Sequence, residues 1–442
     1  MERGLPHLPH ELISNILSRL PVKSLCRFKS VSKPWLALIT DPHFIKSHLH
    51  QSMQYNMNQK LILAYQFSRS VYSLDYQAPD PAIAKLVLPY DRYQRDVKIL
   101  GALYGILLIS TGKTLSLWNP SIRMSQKFST PKTPSGYTFY GLGYDSVCDD
   151  FKVVMALWPS RKSARSAVHV FSSTLGSWKR IEDFGYKIYF WTSVTVLNGA
   201  PHSVVGRLGS GTGQVIVYFD ATEEEFKEVP SPECEGEDIL DDDWSIFRLG
   251  VLGGSLCVVK KFLESHADVW VMKEYGVKES WTKLFVVLNK SGKFYTRDCM
   301  PLCYANDGEV VMVLDWEKLV RYNPKENSYK TIEIARFYPY FNVALFVESL
   351  VGSERAEVIV EKTQPSHDWE SGILPYCLEV LSGSLCVFSH REDNVEVLGL
   401  KKCGMIESWS RLFVIPYDTG SVQFKRLTPL CSAKDGSDDG DR

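Results

Sequence analysis

The sequence predicts an α+β multidomain chain, in which a small N-terminal helical unit is followed by an all-β propeller of six or seven blades. The first observation is a change in the spacing of apolar residues along the chain. Apolar residues repeat at helical spacing up to residue 50, whereas short runs of β-forming residues follow from Lys60 onward. The second is a change of charge, because residues 1–50 hold seven basic and three acidic side chains, a net charge of +4, while the rest carries −5. We name residues 1–50 the head and the β-rich remainder the body.

The composition of the whole chain excludes several classes of protein. Its 442 residues are 45% hydrophobic, 12% aromatic and 23% charged, which is typical of globular proteins and excludes wholesale disorder or a fibrous repeat. Fifty basic residues balance 51 acidic ones, so there is no overall attraction to nucleic acid or to an anionic membrane. No apolar run reaches the roughly 18 residues of a membrane span. We therefore expect neither nucleic acid nor membrane as a partner.

The cysteines indicate a reducing compartment. None of the ten forms a CxxC pair, and the closest two, Cys299 and Cys303, are four apart, so no ligand spacing supports a zinc site. Free thiols inside the cell are the expected state. The opening residues Met1–His7 contain no uninterrupted apolar segment of the signal-peptide type. The predicted location is the cytoplasm, the nucleus or both.

The head is predicted to be helical throughout. Its first apolar residues recur at steps of three and four and form one helix face, namely Leu8, Leu12, Ile13, Ile16, Leu17 and Leu20. Pro21 should end that helix. Ser32 ahead of Pro34 offers an N-cap with a proline in the first turn, and Asp41 ahead of Pro42 repeats the signal. So small a unit has a marginal core of its own. We therefore expect it to gain stability by docking on a partner.

The body consists of short predicted strands between turn signals. Runs such as Leu61–Tyr65, Val215–Phe219 and Val310–Val313 alternate with turns such as Asn119-Pro120 and Asn323-Pro324. The run from Lys60 to Gly352 has room for six or seven four-stranded blades at roughly 40–50 residues each. A single β-sandwich of this length would be unusually large. We therefore favour a propeller.

The C-terminal part repeats an earlier segment. Glu279–Val286 returns as Glu407–Val414 with six of eight residues identical, and Pro301–Gly308 returns at the same offset of 128. Gly254–Val258 returns at an offset of 129, which implies one insertion or deletion. A copy of this length cannot bury its faces alone, so it must pack on the propeller, pair with another edge or remain poorly ordered.

Several motifs that suggest chemistry have simpler explanations. Gly112-Lys113-Thr114 precedes a strand and lacks the upstream glycine of a phosphate loop, so a hairpin turn is predicted. Gly209–Gly213 also leads into a strand, and the acidic stretch Glu233–Asp243 lacks EF-hand spacing. Four tryptophans fall in predicted strands, where we expect them in the core rather than on a base-stacking surface: Trp118, Trp178, Trp281 and Trp409. The sequence predicts no catalytic residue, no cofactor and no metal.

The head resembles an F-box. The matching pattern comprises an opening Leu-Pro, an Ile-Leu pair, a Leu-Pro-Val-Lys-Ser-Leu run, an Arg before Lys-x-Val, and a tryptophan. These features stand at Leu8-Pro9, Ile16-Leu17, Leu20–Leu25, Arg27–Val31 and Trp35. Pro34 departs from the pattern, which commonly has Arg or Lys there, but it fits a helix start.

The body resembles the kelch-like, F-box-associated domain of plant F-box proteins. The matching segments are Leu117–Ser121, Gly141–Asp145, Asp150–Val154, Ser177–Lys179, Val196–Ala200, Phe226–Pro230 and Val347–Val351. The last resembles the usual end of that domain. The predicted organisation is therefore an F-box at 1–50, a linker at 51–59, the propeller at 60–352, a partial copy of 252–308 at 353–434, and a disordered tail at 435–442.

The resemblance implies a non-catalytic substrate receptor of an SCF-type ubiquitin ligase. The F-box would dock on an acidic Skp-type adaptor, and through it on cullin and RING subunits, while the propeller holds an unknown target protein. Carried over position by position, the adaptor contact would consist of Leu8, Pro9, Ile13, Ile16, Leu17, Leu20, Pro21, Leu25, Val31 and Trp35. Three alternatives stay open: a propeller that binds the adaptor or acts alone without a degradation role, a sugar-binding or enzymatic propeller, and a helical hairpin that merely caps the body.

Overall fold

The structure, a computed structural model, describes most of the head and the body. The described residues are 10–65, 70–78, 81–90, 97–112, 114–132, 136–159, 167–181, 184–188, 194–207, 214–232, 248–262, 266–288, 299–315, 317–334, 341–352, 355–359, 374–381, 384–390, 394–400 and 409–416. For residues 374–416 only the backbone is described. The tail at 435–442 lies outside these ranges, as do the glycine-rich segment Gly209–Gly213 and the acidic stretch Glu233–Asp243.

Four helices form the head. They are α1 His10–Leu17, α2 Val22–Phe28, α3 Lys33–Thr40 and α4 Pro42–Gln54. The two predicted N-caps are confirmed, because Ser32 Oγ accepts the N–H of Trp35 at 3.3 Å and Asp41 Oδ1 accepts the N–H of Phe44 at 3.0 Å. The first helix ends at Leu17, before the proline that was predicted to end it.

The head extends further than the predicted boundary at residue 50. Helix α4 continues to Gln54 because its buried residues, among them His48, Leu49 and Ser52, still face the bundle. The chain leaves the helix where Asn56 and Asn58 adopt left-handed φ values of 50° and 58°. Helix α4 thus extends into the segment 51–59 that the sequence predicts as a linker, and the first strand begins at its last residue, Gln59.

Thirty strands follow within the described residues. Those that begin the chain's β region are β1 Gln59–Tyr65, β2 Val71–Asp75, β3 Ala82–Lys85, β4 Val97–Leu103, β5 Ile106–Thr111, β6 Thr114–Asn119, β7 Met124–Ser129, β8 Gly136–Asp145, β9 Asp150–Pro159, β10 Ala167–Ser172 and β11 Ser177–Arg180. The next are β12 Tyr186–Lys187, β13 Val194–Leu197, β14 Ala200–Arg207, β15 Gln214–Asp220, β16 Glu225–Val229, β17 Arg248–Leu252, β18 Ser255–Phe262, β19 His266–Met272 and β20 Trp281–Leu288. The last are β21 Cys299–Tyr304, β22 Val310–Leu314, β23 Lys318–Asn323, β24 Ser328–Thr331, β25 Phe341–Val347, β26 Glu357–Val358, β27 Leu374–Leu381, β28 Ser384–His390, β29 Asn394–Leu400 and β30 Trp409–Pro416.

Strands β1–β25 build a propeller of six blades, which confirms the lower of the two predicted numbers. Blade 1 has the order β25-β1-β2-β3, blade 2 contains β4–β7, blade 3 β8–β11, blade 4 β12–β16, blade 5 β17–β20 and blade 6 β21–β24. Strand β25 pairs with β1 along its whole length, from Gln59↔Val347 to Tyr65↔Phe341. The end of the propeller thus supplies the innermost strand of its first blade, which closes the ring.

A short strand beyond residue 352, the predicted end of the propeller, pairs with blade 2. Glu357 and Val358 pair with Ser125 and Met124, so β26 adds a fifth strand to the outer edge of blade 2. That outer edge offers unpaired N–H and C=O groups, which the following chain satisfies.

The core lies between the blades. Six apolar clusters occupy the six contacts between adjacent blades, for example Leu142 and Phe171 of blade 3 against Leu108 of blade 2. Trp118 is fully buried between blades 1 and 2, and Trp281 lies in the cluster of blades 4 and 5. Both therefore lie in the core, as predicted. Strands β5 and β6 join at Thr111↔Thr114, which confirms the hairpin predicted around Gly112.

A buried histidine gives the propeller a pH-dependent stability. His202 Nε2 lies 2.6 Å from the hydroxyl of Tyr275, and burial lowers its pKa to about 4. Folded His202 stays neutral while the unfolded chain binds a proton below about pH 6.5. Its contribution is therefore complete above that pH and falls as the pH drops toward 4.

We expect the free energy of unfolding to fall by about 1 kcal/mol from this group between pH 7.5 and 5.5. Urea denaturation followed by tryptophan fluorescence measures it. His202→Asn should remove this part of the pH dependence, while His43→Gln, at an exposed site, should keep it. An equal pH dependence in wild type and His202→Asn contradicts the assignment.

The C-terminal copy forms a four-stranded sheet of its own. It belongs to a separate compact unit, residues 362–442, with strand order β27-β28-β29-β30. Its pairing Leu381↔Ser384 reproduces Leu252↔Ser255 of blade 5. A β-bulge at Val397/Leu398 reproduces the one at Val269/Trp270. The copied sequence therefore has the register of a complete blade.

Candidate functional site

The exposed surface of the head contains several large aliphatic side chains. Leu12 and Ile16 lie one turn apart on α1 and are 51% and 54% exposed, and Val31, after α2, is 61% exposed. Leu36 on α3 is exposed as well. Large aliphatic side chains gain no favourable free energy from exposure to water, so a concentration of them in four short helices indicates an interaction surface. We name Leu12, Ile16, Val31 and Leu36 the exposed head residues.

The structure divides the predicted contact residues into four groups. Leu8 and Pro9 lie outside the described residues. Ile16, Pro21 and Val31 are exposed, whereas Ile13, Leu20 and Trp35 are half-buried. Leu17 and Leu25 are 1% and 0% exposed. Among the predicted contact residues that the structure describes, only the exposed and half-buried groups can touch a partner without opening the head.

Leu17 and Leu25 belong to the interior of the head. They pack with Val22, Ile39 and Phe44, and with Leu350 from the end of the propeller. Helical spacing marked Ile16 and Leu17 equally as apolar-face positions, but only packing against α3 and α4 decides which one is covered. Their role is to shape the surface that Ile16 presents.

The predicted adaptor contact leaves out two of the exposed head residues, Leu12 and Leu36. Leu12 is separated from Ile16 by one helical turn, so the periodicity already placed both on one face. Leu36 follows Trp35 at the start of α3, where no pattern separated buried from exposed positions. The surface is therefore broader than the predicted contact.

The head also exposes basic side chains. Arg19, Lys23, Arg27 and Lys33 are exposed, and none of them forms an ion pair with a carboxylate of the described residues. Lys46 is different, because its Nζ lies 2.6 Å from Asp149 of the propeller. Four exposed cationic side chains in the same small unit as the exposed head residues favour an acidic partner.

One end of the propeller carries the head. Asp149 lies between the first two strands of blade 3, and Ile122, which packs against the head, lies between the last two of blade 2. Because successive strands are antiparallel, the other ends of these strands lie at the opposite edge, which we name the far edge. The C-terminal ends of β14, at Arg207, and of β16, at Val229, lie at that far edge.

Comparison with known proteins identifies both parts. Residues 5–47 match the family model of the F-box domain, and residues 58–351 match that of the F-box associated beta propeller domain. The chain belongs to this family of F-box proteins. The F-box protein CPR1 of Arabidopsis thaliana is 34% identical over 373 residues, covering 78% of this chain and 88% of that protein.

Further relatives are more distant. An F-box/kelch-repeat protein of Arabidopsis thaliana is 28% identical over 369 residues, covering 75% of this chain and 94% of the relative. Among solved structures, the crystal structure of AofleA from Arthrobotrys oligospora matches with a TM-score of 0.37 and 9% identity. That match covers 67% of this chain and 94% of AofleA.

The described part of this F-box protein contains neither a metal-binding group of side chains nor a membrane-spanning helix. No group of three or more His, Cys, Asp or Glu side chains there could hold a metal ion. Five cysteines of those residues are free thiols, namely Cys26, Cys148, Cys257, Cys299 and Cys303. None of the described helices has the length and apolar character needed to cross a membrane. The exposed head residues lie in the segment that matches the F-box model, so the structure and the family match indicate the same candidate site.

Proposed function

We propose that this chain is the substrate-recognition subunit of an SCF-type ubiquitin ligase, and that it has no catalytic role of its own. Its F-box docks on a Skp-type adaptor, which connects it to cullin and RING subunits. Its propeller binds a target protein for ubiquitination and proteasomal degradation. The observation that supports this most strongly is the set of exposed head residues within a segment that matches the F-box model.

Burial of apolar surface supplies the affinity in this proposal. Each large aliphatic side chain that becomes fully buried contributes roughly 1.5–3 kcal/mol of transfer free energy, before the cost of association. Leu12, Ile16 and Val31 are each more than half exposed in the described chain. A partner that covers all three therefore gains several kilocalories per mole of favourable transfer free energy.

The positions of the adaptor-binding and target-binding surfaces support ubiquitin transfer to the target without catalysis by this chain. The F-box attaches at one edge of the propeller, and the segments Gly209–Gly213 and Glu233–Asp243 follow in sequence β14 and β16, whose C-terminal ends lie at the other edge. A target held at the far edge is presented to the conjugating enzyme at a raised effective concentration. In this proposal the far edge is the target-binding edge. The free thiols of the described cysteines fit a location in the cytoplasm or nucleus.

The exposed basic side chains of the head are expected to govern the rate at which the chain encounters the adaptor. Reversing two exposed charges together, as Lys23→Glu with Arg27→Glu, should slow association with an acidic adaptor about tenfold at low ionic strength. Dissociation should change little because both side chains lie at the rim. Surface plasmon resonance at two salt concentrations separates the two rates. Lys325→Glu with Lys330→Glu, on exposed positions of blade 6, is the control pair. Equal slowing by both pairs contradicts the assignment.

Titration of the purified full-length chain with a purified Skp-type adaptor tests the first half of the proposal. Stoichiometric binding is expected, and its absence contradicts an SCF role. Proximity labelling with the proteasome blocked tests the second half, with Ile16→Asp as the comparison. A protein that is labelled by both forms while the proteasome is blocked, and that accumulates only with the variant while the proteasome is active, is the expected target. A labelled protein whose level with an active proteasome is the same for both forms would instead indicate adaptor binding without a degradation role.

A further inference from the structure

The segment that follows the closing strand of the propeller enters the head. We name residues 348–351 the closing segment. The N–H of Glu348 donates to the carbonyl of Asn58 at 3.0 Å, and the Glu348 carboxylate lies 2.5 Å from Lys60 Nζ. The two bonds extend the pairing of β25 with β1 toward the head. The closing segment therefore starts from a fixed point at the boundary of head and propeller.

A buried amide of blade 2 holds the middle of the closing segment. Asn119 is fully buried, and its Nδ2 lies 3.0 Å from the carbonyl of Ser349 and 2.8 Å from that of Val351. Ser349 is also fully buried, and its hydroxyl donates to the carbonyl of Tyr104 at 3.0 Å. An unpaired buried carbonyl is costly, so losing Asn119 would release the backbone on both sides of Leu350.

The neighbouring turn of blade 2 leaves no room for a side chain beside Ser349. Gly105 has a φ of +79°, and a Cβ built there would lie 2.0 Å from Ser349 Oγ. A glycine is required at this position both for its left-handed backbone and for the close approach of Ser349. The turn is therefore fitted to the closing segment.

Leu350 lies in the core of the head. It is 4% exposed and packs in one cluster with Leu17, Leu25 and Phe44. Ile122, from the turn that follows Asn119, packs against the same cluster. So small a bundle has few core residues of its own, and one supplied from the propeller is a substantial share.

We propose that the closing segment is a positioning element which makes closure of the propeller a condition for adaptor docking. Leu350 reaches the core of the head only when β25 has paired with β1 and Asn119 holds the backbone of residues 349 and 351. A chain whose ring is open presents a head with an incomplete core, and the exposed head residues lose their fixed arrangement. This inference rests on the proposed function, because it concerns the same adaptor surface.

The test uses the full chain with substitutions that do not touch the docking surface. Asn119→Ala is expected to weaken adaptor affinity at least tenfold, although its side chain bonds only residues of the propeller and closing segment. Gln126→Ala is the matched control, because Gln126 is a buried amide of the same blade that donates to Ser173 instead. Its adaptor affinity should stay within twofold of wild type. Hydrogen–deuterium exchange of the free chain should rise in α2 and α3 for Asn119→Ala alone.

A second variant covers the case in which Asn119→Ala fails to fold. Leu350→Ala removes a side chain that packs in the head, so the propeller should keep its near-ultraviolet circular dichroism. Adaptor affinity should fall at least tenfold, and Leu350→Met should restore most of it. If wild type binds the adaptor and Leu350→Ala binds it equally well, the inference is wrong while the proposed function stands. If wild type itself does not bind, the proposed function fails first.

Discussion

Replacing Ile16 by aspartate is expected to abolish adaptor binding and leave the chain folded. Ile16 is 54% exposed on α1, so the substitution buries no charge in the free chain. In the complex, the carboxylate would replace an apolar contact and face a partner of like charge. An unpaired charge in an interface costs several kcal/mol. We expect the adaptor affinity to fall at least about a hundredfold, which corresponds to roughly 3 kcal/mol.

The same substitution at the next residue, Leu17, should have a different effect. Leu17→Asp places a carboxylate in a site that is 1% exposed, so it should unfold the head, and its loss of binding would carry no information about the surface. Tyr329→Asp on β24 is the control for adding a charge at an exposed apolar site, since Tyr329 is 44% exposed. Isothermal titration measures affinity, and far-ultraviolet circular dichroism reports the helices. Wild-type affinity for a folded Ile16→Asp variant would contradict the assignment of this surface.

Removing the buried amine of Lys152 is expected to give the largest loss of stability in the propeller. Its Nζ donates to Asp145 Oδ2 at 2.9 Å, to Glu224 Oε1 at 2.9 Å and to the carbonyl of Ala221 at 2.8 Å. Lys152 and Asp145 belong to blade 3, while Ala221 and Glu224 lie in the turn between two strands of blade 4. One ammonium therefore joins two blades.

The pKa shifts agree with this arrangement. Burial by itself would lower the pKa of Lys152, but hydrogen bonds with Asp145 and Glu224 outweigh it and raise the pKa. Burial would raise the pKa of Asp145, yet Lys152 and the N–H groups of Cys148 and Val147 lower it to about 2. Both groups are held charged because each is the other's partner.

Lys152→Met should cost about 3–5 kcal/mol of unfolding free energy, because it leaves two carboxylates without their buried partner. Lys179→Ala is the matched control, since Lys179 pairs with the same Glu224 but is 61% exposed. It should cost less than about 1 kcal/mol. Urea denaturation at pH 7.5 measures both. Neutralising the two carboxylates as well, with Asp145→Asn and Glu224→Gln, should recover part of the loss. Equal costs for the two lysine variants would contradict the role of burial.

The local signals of the head could be predicted from the sequence. The N-caps at Ser32 and Asp41, each followed by proline, define the starts of α3 and α4 because the capping bond is local. Apolar spacing defined the face of α1 but not which members of it are covered. That depends on α3, α4 and Leu350, whose distance along the chain leaves no periodic signal.

Long-range contacts also limit what can be predicted about the propeller from the sequence. Strand lengths and turn signals predicted many short strands, but six or seven blades fitted the length equally well. Pairing of β25 with β1, more than 270 residues away, decides the number. The buried position of Lys152 was also beyond prediction, because nothing in its neighbours in sequence indicates that Glu224 of the next blade reaches it.

Hydrogen–deuterium exchange of the full chain, free and saturated with a purified Skp-type adaptor, tests the central claim most directly. The amide groups of α1, α2 and the start of α3 should become protected on binding. The amide groups at the far-edge strand ends, Arg207 and Lys261, should exchange at the same rate as in the adaptor-free chain. Protection confined to the propeller, or an unchanged exchange of α1 at saturating adaptor, would contradict the claim that the exposed face of the head is the docking surface.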